Sequence, residues 1–272
     1  MVEPIKKLRE ICYKNHKGQL IFYNQYILRG ISIYITKVLL YTPITANQVT
    51  LFMLIFGITG SVFLFNGFFI IGLLLIHLAQ LLDSVDGEIA RYKKEKTMLG
   101  KYLDTIYHTI TTPLMLFGFA YGTYNLYPNK LLIVFGFLSA IFAQSIVMPS
   151  IFDTIVSSKI RGVSPPIKKS RINEEEVLEY EGQTKEYKNL FLKIYHNLRG
   201  FWKFPSNLLM LTALYIWEVI NLKYSFAPAF ITSVVFFIIY GSFVTLAQIA
   251  SFVFHTKKNS IDSFYVFLFG KK

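Results

Sequence analysis

A chain of 272 residues that is 53% hydrophobic and 17% aromatic, with only 16% charged residues, is too apolar for an ordinary soluble domain and reads as a multi-pass membrane protein. Its single cysteine, Cys12, excludes an internal disulfide and is given no other role. The net charge of +12 raises nucleic acid as a partner, but the basic residues flank apolar stretches. Anionic lipid headgroups account for them better, and no nucleic-acid partner is expected.

The chain starts VEPIKKLREICYKNHKGQL, basic and polar, without the short apolar core and small-residue site of a cleaved leader. Residues 20–42, LIFYNQYILRGISIYITKVLLYT, are apolar along their length, with Arg29 and Lys37 as the only cations. They predict an amphipathic helix lying on the cytoplasmic surface with its aromatics at headgroup level. A seventh span competes with that reading, but it would put the N-terminus outside, against the charge distribution.

Six candidate spans follow, at 47–66, 68–90, 102–123, 130–156, 205–222 and 226–255, each near the ~20 residues that a helix needs to cross the hydrocarbon. Of the 28 Lys and Arg, 26 lie before residue 47, in 91–101, in 157–203 or after 255; only Lys130 and Lys223 lie in the loops on the other side. Positive residues collect in cytoplasmic loops, so both termini are expected in the cytoplasm of a cell-membrane protein. The predicted fold class is an all-α integral membrane protein of six transmembrane helices with an N-terminal interfacial amphipathic helix. Residues 1–46 form the cytoplasmic N-terminus, 47–256 the membrane domain and 257–272 a cytoplasmic tail.

The longest polar stretch, 157–204, contains Pro165-Pro166 and the acidic run EEEVLEYEG. Further on, Tyr187, Leu190, Phe191, Ile194, Tyr195 and Leu198 recur at helical spacing, which predicts a surface helix leading into the fifth span. Arg161, Lys168, Lys169 and Arg171 lie where an anionic headgroup or acceptor would approach, though such loop charges also arise from topology alone.

The chemistry concentrates in residues 83–108, DSVDGEIARYKKEKTMLGKYLDTIYH. The second span runs inward and ends near Arg91. By the helical rise, Asp83 lies roughly 12 Å before Arg91 and Asp86 about 8 Å. The third span starts again near Lys101 and carries Asp104 and His108 back to the same depth, in the cytoplasmic half. Asp83 and Asp86 are three apart and Asp104 and His108 four apart, so each pair shares a helix face. Acids in apolar helices repel one another and lose hydration, and a divalent cation is the simplest partner that keeps them ionised. Oxygen-rich ligation favours Mg²⁺ or Mn²⁺, with substrate phosphates completing the shell. Gly87 and Gly100 leave room for a ligand to approach the backbone. Pairing of the acids with Arg91, Lys93 and Lys94 explains one or two of them, not four groups converging from two helices.

These residues resemble the family of CDP-alcohol phosphotransferases, whose pattern is D-x2-D-G-x2-A-R-x8-G-x3-D-x3-D. Asp83, Asp86, Gly87, Ala90, Arg91, Gly100 and Asp104 stand at the matching spacings. TANQVTL at 45–51 is similar to the family's first-span opening, with Asn47 and Thr50 in place and Ala46 where a proline is usual. The resemblance implies release of CMP from a CDP-linked alcohol as its substituted phosphate moves to an acceptor alcohol, in phospholipid or polyol-phosphate synthesis. It implies that Asp83, Asp86 and Asp104 hold two Mg²⁺ or Mn²⁺ ions. Gly87, Ala90 and Gly100, with Asn47 and Thr50, would border the nucleotide, and Arg91 would meet phosphate. It also implies a homodimer. The partners would be a CDP-alcohol donor, a lipid or polyol-phosphate acceptor, and membrane lipids.

The resemblance fails at position 108, His where the family has Asp. A histidine there serves as general base, as metal ligand or as both; it is also what an inactive member would carry. An inactive scaffold or a metal transporter is the alternative reading of the whole chain. Catalytic roles fall to His108 and Asp104. Asp153 is read as interfacial or as lining the same cavity, His77 and Gln80 as supporting groups, and Glu218 as remote from the site.

Overall fold

The structure, a computed structural model, describes residues 2–13, 23–95, 97–144, 146–162, 204–257 and 260–269. The predicted stripe from Tyr187 to Leu198, Pro165-Pro166, Lys168, Lys169 and Arg171 lie outside the described residues. What is described is all-helical: α1 (Ile5–Tyr13), α2 (Arg29–Leu39, entered through a π-helical stretch Tyr23–Leu28), α3 (Ala46–Phe65), α4 (Phe69–Lys93), α5 (Met98–Leu126), α6 (Lys130–Phe142), α7 (Val147–Ile160), α8 (Ser206–Tyr224), α9 (Ile231–Lys257) and α10 (Ser260–Phe269).

Local chemistry sets the helix starts. Thr45 begins α3 with a reciprocal cap: its Oγ1 accepts from Gln48 N at 3.3 Å, and Gln48 Oε1 accepts from Thr45 N at 2.9 Å. Thr97 caps α5 by accepting from Gly100 N at 3.0 Å, and Asn129 caps α6 through Leu131 N at 3.0 Å. α4 stops at Lys94, which adopts the left-handed conformation with φ 57°.

α3 packs between α4 and α5, α5 against α6, and α6 against α9; α8 touches both α9 and α4 and closes the circuit. The core inside it draws Leu64, Ile76, Met115, Phe119, Leu132, Leu211 and Phe237 from those six helices. At one crossing the backbones nearly touch. A Cβ on Gly60 would come within 2.8 Å of Gly72 O, and one on Gly72 within 2.7 Å of Gly60 O, so α3 and α4 approach closely only because both residues lack side chains.

Among the described residues, α3, α4 and α9 are long and apolar enough to cross a membrane, and α6 is a shorter apolar helix. With their outward Leu, Ile and Phe side chains exposed, these helices make the chain an integral membrane protein. The predicted fourth span, 130–156, is two helices. α6 ends at Phe142 and α7 begins at Val147, with Pro149 in its first turn, where the missing N–H is tolerated. Gln248 of α9 bridges the break: its Nε2 donates to Gln144 O at 3.0 Å and its Oε1 accepts from Ile146 N at 3.4 Å. The tail predicted at 257–272 contains α10, whose Phe264 and Tyr265 pack on Ile151 and Ile155 of α7.

The N-terminal segment follows α4. Tyr23 OH meets His77 Nδ1 at 2.6 Å, while Thr36 Oγ1 donates to Glu88 Oε2 at 2.6 Å. The two contacts advance together along both chains, so residues 23–39 run alongside α4 in its own direction. On the opposite face Ile27, Ile31, Tyr34 and Val38 are exposed at helical spacing.

Candidate active site

α4 and α5 meet as an antiparallel pair joined by the loop around residues 94–97, and the acids lie on their facing sides. Donor atoms of Asp83, Asp104 and His108 all lie within 4.8 Å of one another. His108 Nε2 is 3.3 Å from Asp104 Oδ1 and 3.8 Å from Asp83 Oδ1. The side chains are 25%, 29% and 34% exposed for Asp83, Asp104 and His108 respectively, so a ligand reaches them without unfolding either helix. Each carboxylate has a further partner: Gln80 Nε2 donates to Asp83 Oδ2 at 2.9 Å, and Lys101 Nζ to Asp104 Oδ2 at 3.0 Å. Asp86, one turn beyond Asp83, stands outside this three-way convergence. Thr50 Oγ1 donates to its Oδ2 at 2.6 Å from α3.

The remaining predicted residues surround the same place. Asn47 leans onto Gly100, where a Cβ would sit 3.0 Å from Asn47 Oδ1. Arg91 lies over Gly87, its Nη1 3.1 Å from where a Cβ would be, and its buried Nε has no hydrogen-bond partner. Ala90 packs beside Ala46, Val49 and Ile89. Thus Gly87 and Gly100 at present admit protein side chains that a ligand is able to displace.

The donor set fits a divalent cation. Two carboxylates and an imidazole from two rigid helices converge within a few ångströms, beside an exposed approach, as a hard, oxygen-preferring ion with further open positions requires. The orphaned Nε of Arg91, which lies over Gly87, suits an anionic group.

His108 is held by its neighbour Tyr107 and by two residues that its sequence neighbourhood does not reveal. Phe204, just before α8, lies edge-on to it at 5.5 Å between ring centroids, and Tyr107 does so at 4.9 Å. The Gln144 side chain, from the break after α6, donates to the His108 carbonyl oxygen. Pro113 lies inside α5 just beyond, where it cannot donate to the carbonyl of residue 109.

Other predictions resolve individually. Gln80 supports Asp83 directly, whereas His77 is a helix contact whose Nε2 meets Thr212 Oγ1 of α8 at 2.9 Å. Asp153 is exposed on α7 in a surface hollow with Thr154, Ser157, Ser158 and Arg161, apart from the acidic cluster. Glu218 is buried and accepts from Ser233 N at 2.9 Å and Ser233 Oγ at 2.8 Å, securing the start of α9.

Sequence reasoning gave Glu88 no role, yet it is fully buried. Its carboxylate accepts from Tyr13, Ser32 and Thr36, and its backbone oxygen from Cys12 Sγ at 3.6 Å. The only advance signal was an acid at the next position after Gly87 that the metal pattern does not require.

With this geometry in place, residues 43–173, which cover α3 to α7, match the family model described as CDP-alcohol phosphatidyltransferase. No curated protein matches the chain.

Proposed function

Because residues 43–173 match the CDP-alcohol phosphatidyltransferase family model, we propose that the chain transfers the substituted phosphate of a CDP-alcohol to an acceptor alcohol and releases CMP. The family is one of transferases that act on CDP-alcohols in phospholipid synthesis. In the proposed reaction the acceptor oxygen bonds to the phosphorus that carries the alcohol, the bond from that phosphorus to the CMP oxygen breaks, and the acceptor proton passes to His108 Nε2.

The carrying observation is the convergence of Asp83, Asp104 and His108 from α4 and α5. Asp83 and Asp104 would hold one Mg²⁺ or Mn²⁺, with His108 as a further ligand where it does not serve as the base, and Asp86 with Asp83 would hold a second. When bound, the cations neutralise charge on the diphosphate and on the departing CMP. Asp104, 3.3 Å from the ring, orients His108 and stabilises the imidazolium that forms. Arg91, released from Gly87, pairs with phosphate, and Asn47, Thr50, Gly87, Ala90 and Gly100 frame the nucleotide. His108 Nε2 is equally placed as a ligand. A His108→Ala protein that keeps wild-type metal affinity but loses turnover assigns it as the base; loss of both assigns it as a ligand.

The reading includes six crossings, both termini in the cytoplasm and the site at the cytoplasmic face, supported by the placement of Lys and Arg. The exposed apolar face of residues 27–38 supports an N-terminal helix set against the membrane interface. A homodimer and a lipid or polyol-phosphate acceptor complete it. The test is CMP release by purified protein from a panel of CDP-alcohols, with and without Mg²⁺ or Mn²⁺ and with and without acceptors. Release that ignores metal, or release unchanged in Asp83→Asn, contradicts the proposal.

A further inference from the structure

Glu88 stands in the middle of the motif, between Gly87 and Ala90, but faces away from the acids. It is fully buried, and an ionised carboxylate so placed needs hydrogen-bond donors. They come from the N-terminal segment: Tyr13 of α1 and Ser32 and Thr36 of α2, while Cys12 donates to the Glu88 carbonyl. Leu8, Cys12 and Ile33 close around the cluster, with Tyr92 of α4 against them. Two elements from outside the membrane core are therefore fixed to one turn of α4, the turn that carries Asp86, Gly87 and Arg91.

Arg29 and Arg91 lie within electrostatic reach of one another there. Arg29 sits over the Tyr13 ring, 4.6 Å from its centroid. Burial lowers its pKa, Tyr13 and Glu88 oppose that, and the charge of Arg91 lowers it further. Arg91 also lies within electrostatic reach of Cys12. The repulsion between Arg29 and Arg91 thus works against docking of the N-terminal segment. A diphosphate engaging Arg91 would remove that repulsion.

We propose that Glu88 is a positioning residue that latches α1 and α2 onto the nucleotide-binding stretch of α4, and that a nucleoside diphosphate with divalent cation there tightens the latch. The inference rests on the nucleotide site proposed above. Coupling is reciprocal, so a ligand that stabilises the docked segment binds more tightly when the segment is docked.

Cys12, the chain's single cysteine, reports the latch without any engineered label. Burial, followed by the charge of Glu88, pushes its thiol up to about 11, so the docked thiol reacts slowly with maleimide. In the wild-type protein, CDP with Mg²⁺ is expected to slow Cys12 labelling about fivefold or more, the lower end of ordinary coupling. Glu88→Ala is expected to raise the labelling rate and to raise KM for the CDP-alcohol about fivefold while kcat stays within about twofold. Glu88→Gln, which keeps one acceptor oxygen, falls between the two.

A wild-type labelling rate unaffected by CDP and Mg²⁺, in protein that does bind CDP, overturns the coupling whatever the variants do. Parallel loss of kcat and KM effects with folded protein, or Glu88→Ala labelling at the wild-type rate, overturns the positioning role. Absence of CDP binding in the wild type is instead a failure of the nucleotide site itself, and it overturns this inference with it.

Discussion

At the scale of single residues, the site was legible wherever one helix face carries two functional groups. Spacings of three and four put Asp83 beside Asp86 and Asp104 beside His108; the structure brings Asp83, Asp104 and His108 together and leaves Asp86, expected with them, outside that convergence. The Thr50 hydroxyl donates to Asp86 from another helix, a contact that no spacing within α4 encodes. Partners of this kind fix the orientation of metal-binding carboxylates, and their loss typically lowers metal affinity about 10- to 100-fold. Thr50→Val is therefore expected to weaken Mg²⁺ binding by that order in calorimetry, with helical circular dichroism unchanged; wild-type affinity would show that the bond is incidental. His108→Ala is expected to lower kcat about 10²- to 10⁴-fold, the range that a positioned proton acceptor contributes. His108→Asp, which restores a carboxylate at the divergent position, retains part of the activity. An unchanged His108→Ala rate removes the residue from the reaction.

At the scale of elements, hydropathy and charge located the long helices to within a few residues, because those signals are summed over whole turns. They did not locate the interruption between Phe142 and Val147. There the freed backbone groups find Gln248, about a hundred residues away in the chain. Gln248→Leu removes a donor from Phe142 O and Gln144 O, and it should destabilise the fold by about 1–3 kcal/mol, the usual penalty for an unpaired buried group. A thermal midpoint in detergent equal to the wild type would show that the break needs no such support. The N-terminal segment was legible as amphipathic, but its direction was not. Ser32 and Thr36 turn inward to Glu88 while Ile31 and Tyr34 face outward, a polarity that only the buried acid on α4 explains. At the crossing of α3 and α4 the backbones approach closely. Gly60→Leu sets a side chain against Gly72 O and is expected to lower stability by about 1–3 kcal/mol or more, as overpacking does, read from the same melting curves.

At the scale of the whole molecule, a net charge of +12 on an apolar helix bundle suits a membrane with anionic headgroups. In the proposed orientation the acids would sit just inside the cytoplasmic face, where a lipid alcohol and a soluble nucleotide would meet. In the proposed reaction, with His108 at the position of the family's fourth carboxylate, three carboxylates would balance two divalent cations and the substrate diphosphate would supply more of the compensating charge. Mg²⁺ or Mn²⁺ titrated by calorimetry is expected to bind more tightly with CDP present than without it; equal affinity contradicts that charge balance. The most direct test of the account is CMP release from CDP-alcohols by purified wild-type protein, by Asp83→Asn and by Asp104→Asn, each with Mg²⁺ or Mn²⁺ and with chelator. Release that requires the cation and is lost in both variants is the predicted result. Release that survives chelation, or that persists in both aspartate variants, would contradict a cation-dependent transfer centred on α4 and α5.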